Sequence, residues 1–174
     1  MSCITEILKK KGDQEFLSIP SKKQPEQDRG IVIEGGGHYK GYEYLITFND
    51  MGFRCGYVAI TQDHPDYSFN EEHQYPDYSV HGGVTFFGES HLAESILDHS
   101  CTDKWIGFDA GHAWDVHDIE CALKYFQNLR PAQREHIEFM NRIGRMDGSC
   151  ELRTKEYMEQ ECKNLIDQII EKAA

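Results

Sequence analysis

The chain predicts an α+β domain, a small, mostly antiparallel sheet packed with C-terminal helices, on three observations. Aromatic and β-branched runs separated by turn residues fill its middle, helical periodicity is concentrated in its last third, and its 174 residues suffice for a single core. The expected organisation is a weakly ordered lead-in over 1–29 followed by one domain over 30–174. The lead-in contains a short helix around Ile4 to Lys11, then a polar stretch from Ser21 to Arg29 rich in Lys, Gln, Glu and Pro.

From Gly30 onward the character changes. Ile31-Val32-Ile33 reads as a strand, and Glu34-Gly-Gly-Gly-His38 as a turn, because it lacks the downstream Lys-Ser/Thr of a phosphate-binding loop. Tyr42 to Phe48 and Phe53 to Ile60 are two strands joined by the turn Asn49-Asp-Met-Gly52, an antiparallel hairpin or meander. Thr61 to Ser79 holds five acids, two histidines, four aromatics and two prolines but no Lys or Arg, which marks a long loop whose aromatics pack onto the domain. Val80 to Phe87 and Lys104 to Asp109 supply two further strands. Helices are expected over Val116 to Leu129, then from Ala132 to Ile143 with Gly144 closing, and over Thr154 to Lys172. In the last, Met158, Cys162, Leu165 and Ile169 form one stripe. That stripe reads as core; if exposed, it would make a homodimer.

Composition excludes several classes of function. The longest apolar runs fall far below the ~18 residues of a membrane span, and the amino terminus shows no basic-then-apolar leader, so the expectation is a cytoplasmic protein without a membrane partner. A net charge of −12 argues against general nucleic-acid binding, which draws its affinity from Lys and Arg on phosphates. The six cysteines form no Cys-x-x-Cys pair and read as free thiols.

The residues suited to chemistry lie between Asp63 and Asp118. Asp109, His112 and Asp115 stand three apart in Trp105-Ile-Gly-Phe-Asp-Ala-Gly-His-Ala-Trp-Asp115, and carboxylate plus imidazole suits a divalent metal or a base with its orienting partner. Asp115 competes as a helix cap. Val80-His-Gly-Gly-Val-Thr85 offers Gly82 and Gly83 for close backbone approach and oxyanion-binding N–H groups, with His81 for proton transfer and Thr85 for hydrogen bonding. A tight bend explains the glycines equally well. His64 and a stacking Trp105 complete the candidate ligand-binding set.

Through Gly56-Tyr-Val-Ala-Ile60, Asp63-His-Pro65, Val80-His-Gly-Gly-Val-Thr85, Trp105-Ile-Gly-Phe-Asp-Ala-Gly-His112 with Asp115, and Arg153-Thr-Lys-Glu-Tyr157 onward to Gln168, the chain resembles a group of small uncharacterised proteins of tailed bacteriophages and prophages. It departs from that group's pattern at Ala110, where a cysteine often stands, and at Trp114, where a glycine does. The resemblance implies phage or prophage origin, a host-cytoplasmic setting and an association with countering host nucleotide-signal defence, without a settled activity.

Three functions follow as expectations. The first is a small-molecule site, for a nucleotide or other phosphorylated ligand, with metal-assisted hydrolysis by catalytic His81, Asp109 and His112 and a metal on Asp109, His112 and Asp115. The second is a protein that sequesters the same ligand without turning it over. The third is an acidic protein-interaction module built on the 61–79 loop.

Overall fold

The computed structural model describes residues 2–19, 30–69, 74–97, 99–145 and 150–174. The elements run α1 (Cys3–Lys11), β1 (Leu17–Ser18), β2 (Ile31–Tyr39), β3 (Tyr42–Asn49), β4 (Arg54–Ile60), β5 (Phe86–Glu89), α2 (His91–Ile96), β6 (Lys104–Asp109), β7 (Asp115–Val116), α3 (Ile119–Tyr125), α4 (Pro131–Arg145), β8 (Glu151–Leu152) and α5 (Lys155–Ala173). Six strands form one sheet in the order β1-β2-β3-β4-β6-β5, with every neighbouring pair antiparallel. A separate two-stranded parallel ribbon joins β7 to β8.

Side chains alternate across the main sheet, as a two-residue period requires. Tyr44, Ile46, Val58, Ile60, Ile106 and Phe108 meet α5 on one face, whose Met158, Cys162, Leu165, Ile166 and Ile169 are fully buried. Leu45, Ala59 and Trp105 meet α1 and α2 on the other. The stripe on α5 is therefore core rather than a dimer face. Each of its aliphatic side chains contributes roughly 1.5–3 kcal/mol of burial. Val32 and Phe48 pack with Ala122 of α3 and Ile137 of α4 in a third cluster.

Several expectations need correction. The short helix expected around Ile4 to Lys11 is present as α1, and it packs into the core: Ile4 and Ile7 are fully buried, Ser2 caps α1, and β1 pairs with β2. The 21–29 stretch lies outside the described residues. Cys3 and Cys101 are joined by a disulfide that ties α1 to the approach to β6, a pairing across 98 residues that local spacing does not reveal. Cys55, Cys121 and Cys162 are free thiols. Gly35, Gly36 and Gly37 lie inside β2, beside a register shift between Ile33 and Gly35, and the reversal comes later at Lys40-Gly41, both at positive φ. Val80 to Thr85 is irregular, and only Phe86–Glu89 pairs with β6. The helix expected from Val116 begins at Ile119, because Asp118 rather than Asp115 is its cap and accepts a free N–H of the first turn, that of Cys121. Among the described residues no helix is long and apolar enough to cross a membrane.

One buried ion-pair network holds the end of the sheet nearest the candidate site. Arg54 of β4 donates from Nε and Nη2 to the two oxygens of Glu34 at 2.7 and 2.9 Å, and from Nη1 to Asp118 at 3.1 Å and to the Arg153 carbonyl at 3.2 Å. Tyr125 donates to Glu34 at 2.7 Å. Planar bidentate pairing of this kind suits guanidinium better than ammonium.

Candidate metal-binding site

β6 carries the chain out of the core at Asp109, and the backbone then folds back on itself. The Gly111 N–H donates to Asp109 Oδ1 at 2.9 Å, and the Asp115 N–H to the His112 carbonyl at 3.0 Å. Asp115 then opens β7, whose pairing with Glu151 in β8 brings Arg153 and the first turn of α5 against the loop. Thr154 caps α5 by accepting from the Tyr157 N–H, which fixes the helix start beside the site.

The Asp115 carboxylate is fully buried and surrounded by donors. His81 Nε2 lies 2.9 Å from each of its oxygens. His112 Nδ1 stands 3.0 Å from Oδ2, the His112 N–H donates to the same oxygen at 3.2 Å, and Arg153 Nε donates to Oδ1 at 3.3 Å. Burial pushes the Asp115 carboxyl upward, but the hydrogen bonds from His81 and His112 outweigh it and hold the group below the ordinary carboxylate range. His81 Nδ1 lies 3.0 Å from the Tyr157 hydroxyl.

His112 lies over Gly82. A Cβ there would come within 2.0 Å of His112 Cε1, and Gly82 has φ +68, so both contact and conformation demand glycine. On its other side His112 stacks on Trp114, with ring centroids 4.6 Å apart and planes 5° from parallel. The surroundings are acidic: Arg153 pairs with Asp115 and Glu151, while Asp109 stands 4.0 Å from His112 and Glu161 accepts from the His81 N–H, so the cluster sets four formal negative charges beside one guanidinium.

His81, His112 and Asp115 thus offer three ligand atoms within 4.8 Å of one another. Ligands about 2.1 Å from an ion and at right angles to each other stand about 3 Å apart. The hydrogen-bonded separations of 2.9 and 3.0 Å therefore also fit two edges of a coordination shell. The remaining ring nitrogens have acceptors to hand: His81 Nδ1 faces Tyr157, and His112 Nε2 lies 4.0 Å from Asp109 Oδ1. Metal-bound histidines use such outer partners to fix ring orientation.

Not every predicted residue gathers here. Asp109 stands at the rim, accepting from Thr85 Oγ1 at 2.9 Å, and lies outside the three-ligand group; His81, predicted as a proton carrier, takes its place. Both His81 nitrogens are engaged, which suits a ligand better than a shuttle. The Gly83 N–H is spent on the Val80 carbonyl at 2.9 Å, so it is no oxyanion donor. His64 is buried elsewhere, accepting from the Asp66 N–H and touching the Ile169 carbonyl on α5. Trp105 is fully buried among Tyr57 and the helices of the opposite face, so it offers no stacking surface.

Arg153, Tyr157, Glu161 and Trp114 were not singled out as site residues: the first three entered only within the stretch that carries the resemblance, and Trp114 only as a departure from it. Arg153 and Tyr157 sit at the start of α5 four residues apart, with the guanidinium 4.7 Å from the ring centroid. That spacing is a signal, but it does not name Asp115, 38 residues before Arg153, or His81, 76 residues before Tyr157. No protein-family profile, curated protein or solved structure matches the chain.

Proposed function

We propose that His81, His112 and Asp115 bind a divalent transition metal and that the protein is a metal-assisted hydrolase of a small molecule. The carrying observation is the convergence of two imidazoles and one buried carboxylate, from the 80–85 segment and the β6–β7 loop, within 4.8 Å. Two imidazoles and a carboxylate suit Zn, Mn or Fe. The charge around them points the same way: three net negative charges attract a cation and repel a bare phosphate, so a phosphorylated ligand needs the ion as its counter-charge.

An ion held by His81, His112 and Asp115 would supply Lewis-acid activation of a water at the site. The water oxygen bonds to the electrophilic centre, and Asp109, at the rim, takes a proton. The bond to the leaving group breaks, and the leaving group receives that proton, so one water is consumed per bond cleaved. The phage-protein resemblance extends the proposal to an accessory enzyme acting in a bacterial host.

Elemental analysis of the purified protein should find about one Zn, Mn or Fe per chain, with hydrolysis of bis(p-nitrophenyl) phosphate or a nitrophenyl ester. His112→Ala and Asp115→Asn should lose the ion and the activity together, whereas Asp109→Asn should keep the ion and lose about 100-fold or more in rate. An Asp115→Asn protein that retains its ion would remove the metal reading. A compound recovered intact from heat-denatured protein, with no turnover of either probe, would make the chain a sequestering protein instead.

A further inference from the structure

We propose that Trp114 is the seat for a flat aromatic ring, and that the molecule processed is nucleoside-like rather than a sugar phosphate. This rests on the reading of His81, His112 and Asp115 as the reacting centre. Trp114 is nearly half exposed, at 46%, and stands in the chain between two of the proposed metal ligands. One of its faces is set against His112, 4.6 Å away and within 5° of parallel, so a further ring stacking on it would take the opposite face. Its backbone is held in the turn closed by the Asp115 N–H on the His112 carbonyl.

A large apolar ring left open to water beside a buried polar cluster has an unused stacking surface. Every nucleobase has a π-face that such an indole accepts. A base on the outer face of Trp114 leaves its sugar and phosphoryl group to extend past the indole edge toward His112 and Asp109. The acidic surroundings sharpen the class: without the ion they disfavour any polyanion, so the ring supplies binding that the phosphate by itself does not.

Two tryptophans make this measurable. Trp105 is fully buried, so quenching of intrinsic fluorescence by acrylamide reports Trp114. AMP, GMP, CMP and UMP are titrated against ribose 5-phosphate, each with Mn2+ and with chelator. At least one nucleotide should shield Trp114 while ribose 5-phosphate does not, and chelator should weaken the nucleotide without abolishing shielding. Trp114→Ala should weaken that nucleotide about 10- to 100-fold and keep the ion content of the wild type, and Trp114→Phe should recover most of the loss. Equal behaviour of nucleotides and ribose 5-phosphate would overturn the proposal, as would undiminished nucleotide binding by Trp114→Ala. So would shielding that grows with protein concentration alone, which would mean a second copy covers the ring. Shielding by a nucleotide in a protein that binds no ion would retire the metal centre and leave the ring seat standing, whereas bound ion without shielding would do the reverse.

Discussion

Two buried polar clusters, both tied to Arg153, differ in how completely their charges are answered. Around Arg54, a guanidinium meets Glu34 through two parallel hydrogen bonds and Asp118 through a third, and the Arg54 and Glu34 side chains are nearly sealed from solvent, at 6% and 2% exposure. Around Asp115, the Arg153 guanidinium pairs with Asp115 and Glu151, Asp109 and Glu161 stand against His112 and the His81 N–H instead, and His112 and Asp109 remain partly open. The Arg54 cluster has spent its hydrogen-bonding capacity on holding β2, β4 and α3 together. The Asp115 cluster holds more carboxylates than guanidiniums, and His112 Nε2 comes no nearer than 4.0 Å to Asp109 Oδ1; on the proposed reading that surplus is what a bound cation would answer. The two are in series, since Arg54 holds the Arg153 carbonyl and the Arg153 side chain holds Asp115.

The sharpest break of this comparison is Arg54→Met. Removing one partner of a buried pair strands the carboxylates of Glu34 and Asp118, and urea unfolding should show a loss of about 3–5 kcal/mol. His112→Ala, by contrast, should cost far less stability while losing the ion, because its neighbours remain paired through Asp115. A loss for His112→Ala equal to that of Arg54→Met would make both clusters structural.

Gly82→Ala tests the open cluster without touching a charge. The new methyl meets His112 and the backbone sits at φ +68, so about 1–3 kcal/mol should be lost, and the displaced ring should weaken ion binding by tenfold or more. Gly83→Ala also faces a positive φ, +83, but its Cβ meets nothing within 4 Å. It should cost stability alone, so equal ion affinities in the two variants would count against His112 as a ligand.

The smallest effect is in acid. Burial raises the Asp118 and Asp115 carboxyls, but hydrogen bonds win at both, from the Cys121 N–H at Asp118 and from His81 and His112 at Asp115, so both are held below 3.8. A depressed carboxylate stabilises the fold above its unfolded value and surrenders that stability as pH falls through its folded value. Each should contribute a slope of up to about 1.4 kcal/mol per pH unit below pH 4. Asp118→Asn should flatten the acid limb of a thermal-denaturation profile without altering ion content at neutral pH, whereas Asp115→Asn should do both. Loss of the ion in Asp118→Asn would join the two clusters into one.

How much of this was readable beforehand depends on range. The antiparallel meander, the helices after it and the buried stripe of α5 follow from two-residue and 3.6-residue periodicities, which each segment carries within itself. So does the density of His, Gly and Asp between His81 and Asp115. Which of these residues meet was settled by the tertiary structure. His81 reaches Asp115 across 34 residues and Tyr157 across 76, distances set by strand pairing and by the docking of α5. Trp105 and Trp114 look equally eligible as letters in one motif, yet the first points into the core below β6 and the second stands in the loop beyond it. The reason is physical: local backbone preference fixes the periodicity of a segment, whereas which side chains are buried, stacked or left open depends on surfaces contributed by the rest of the chain.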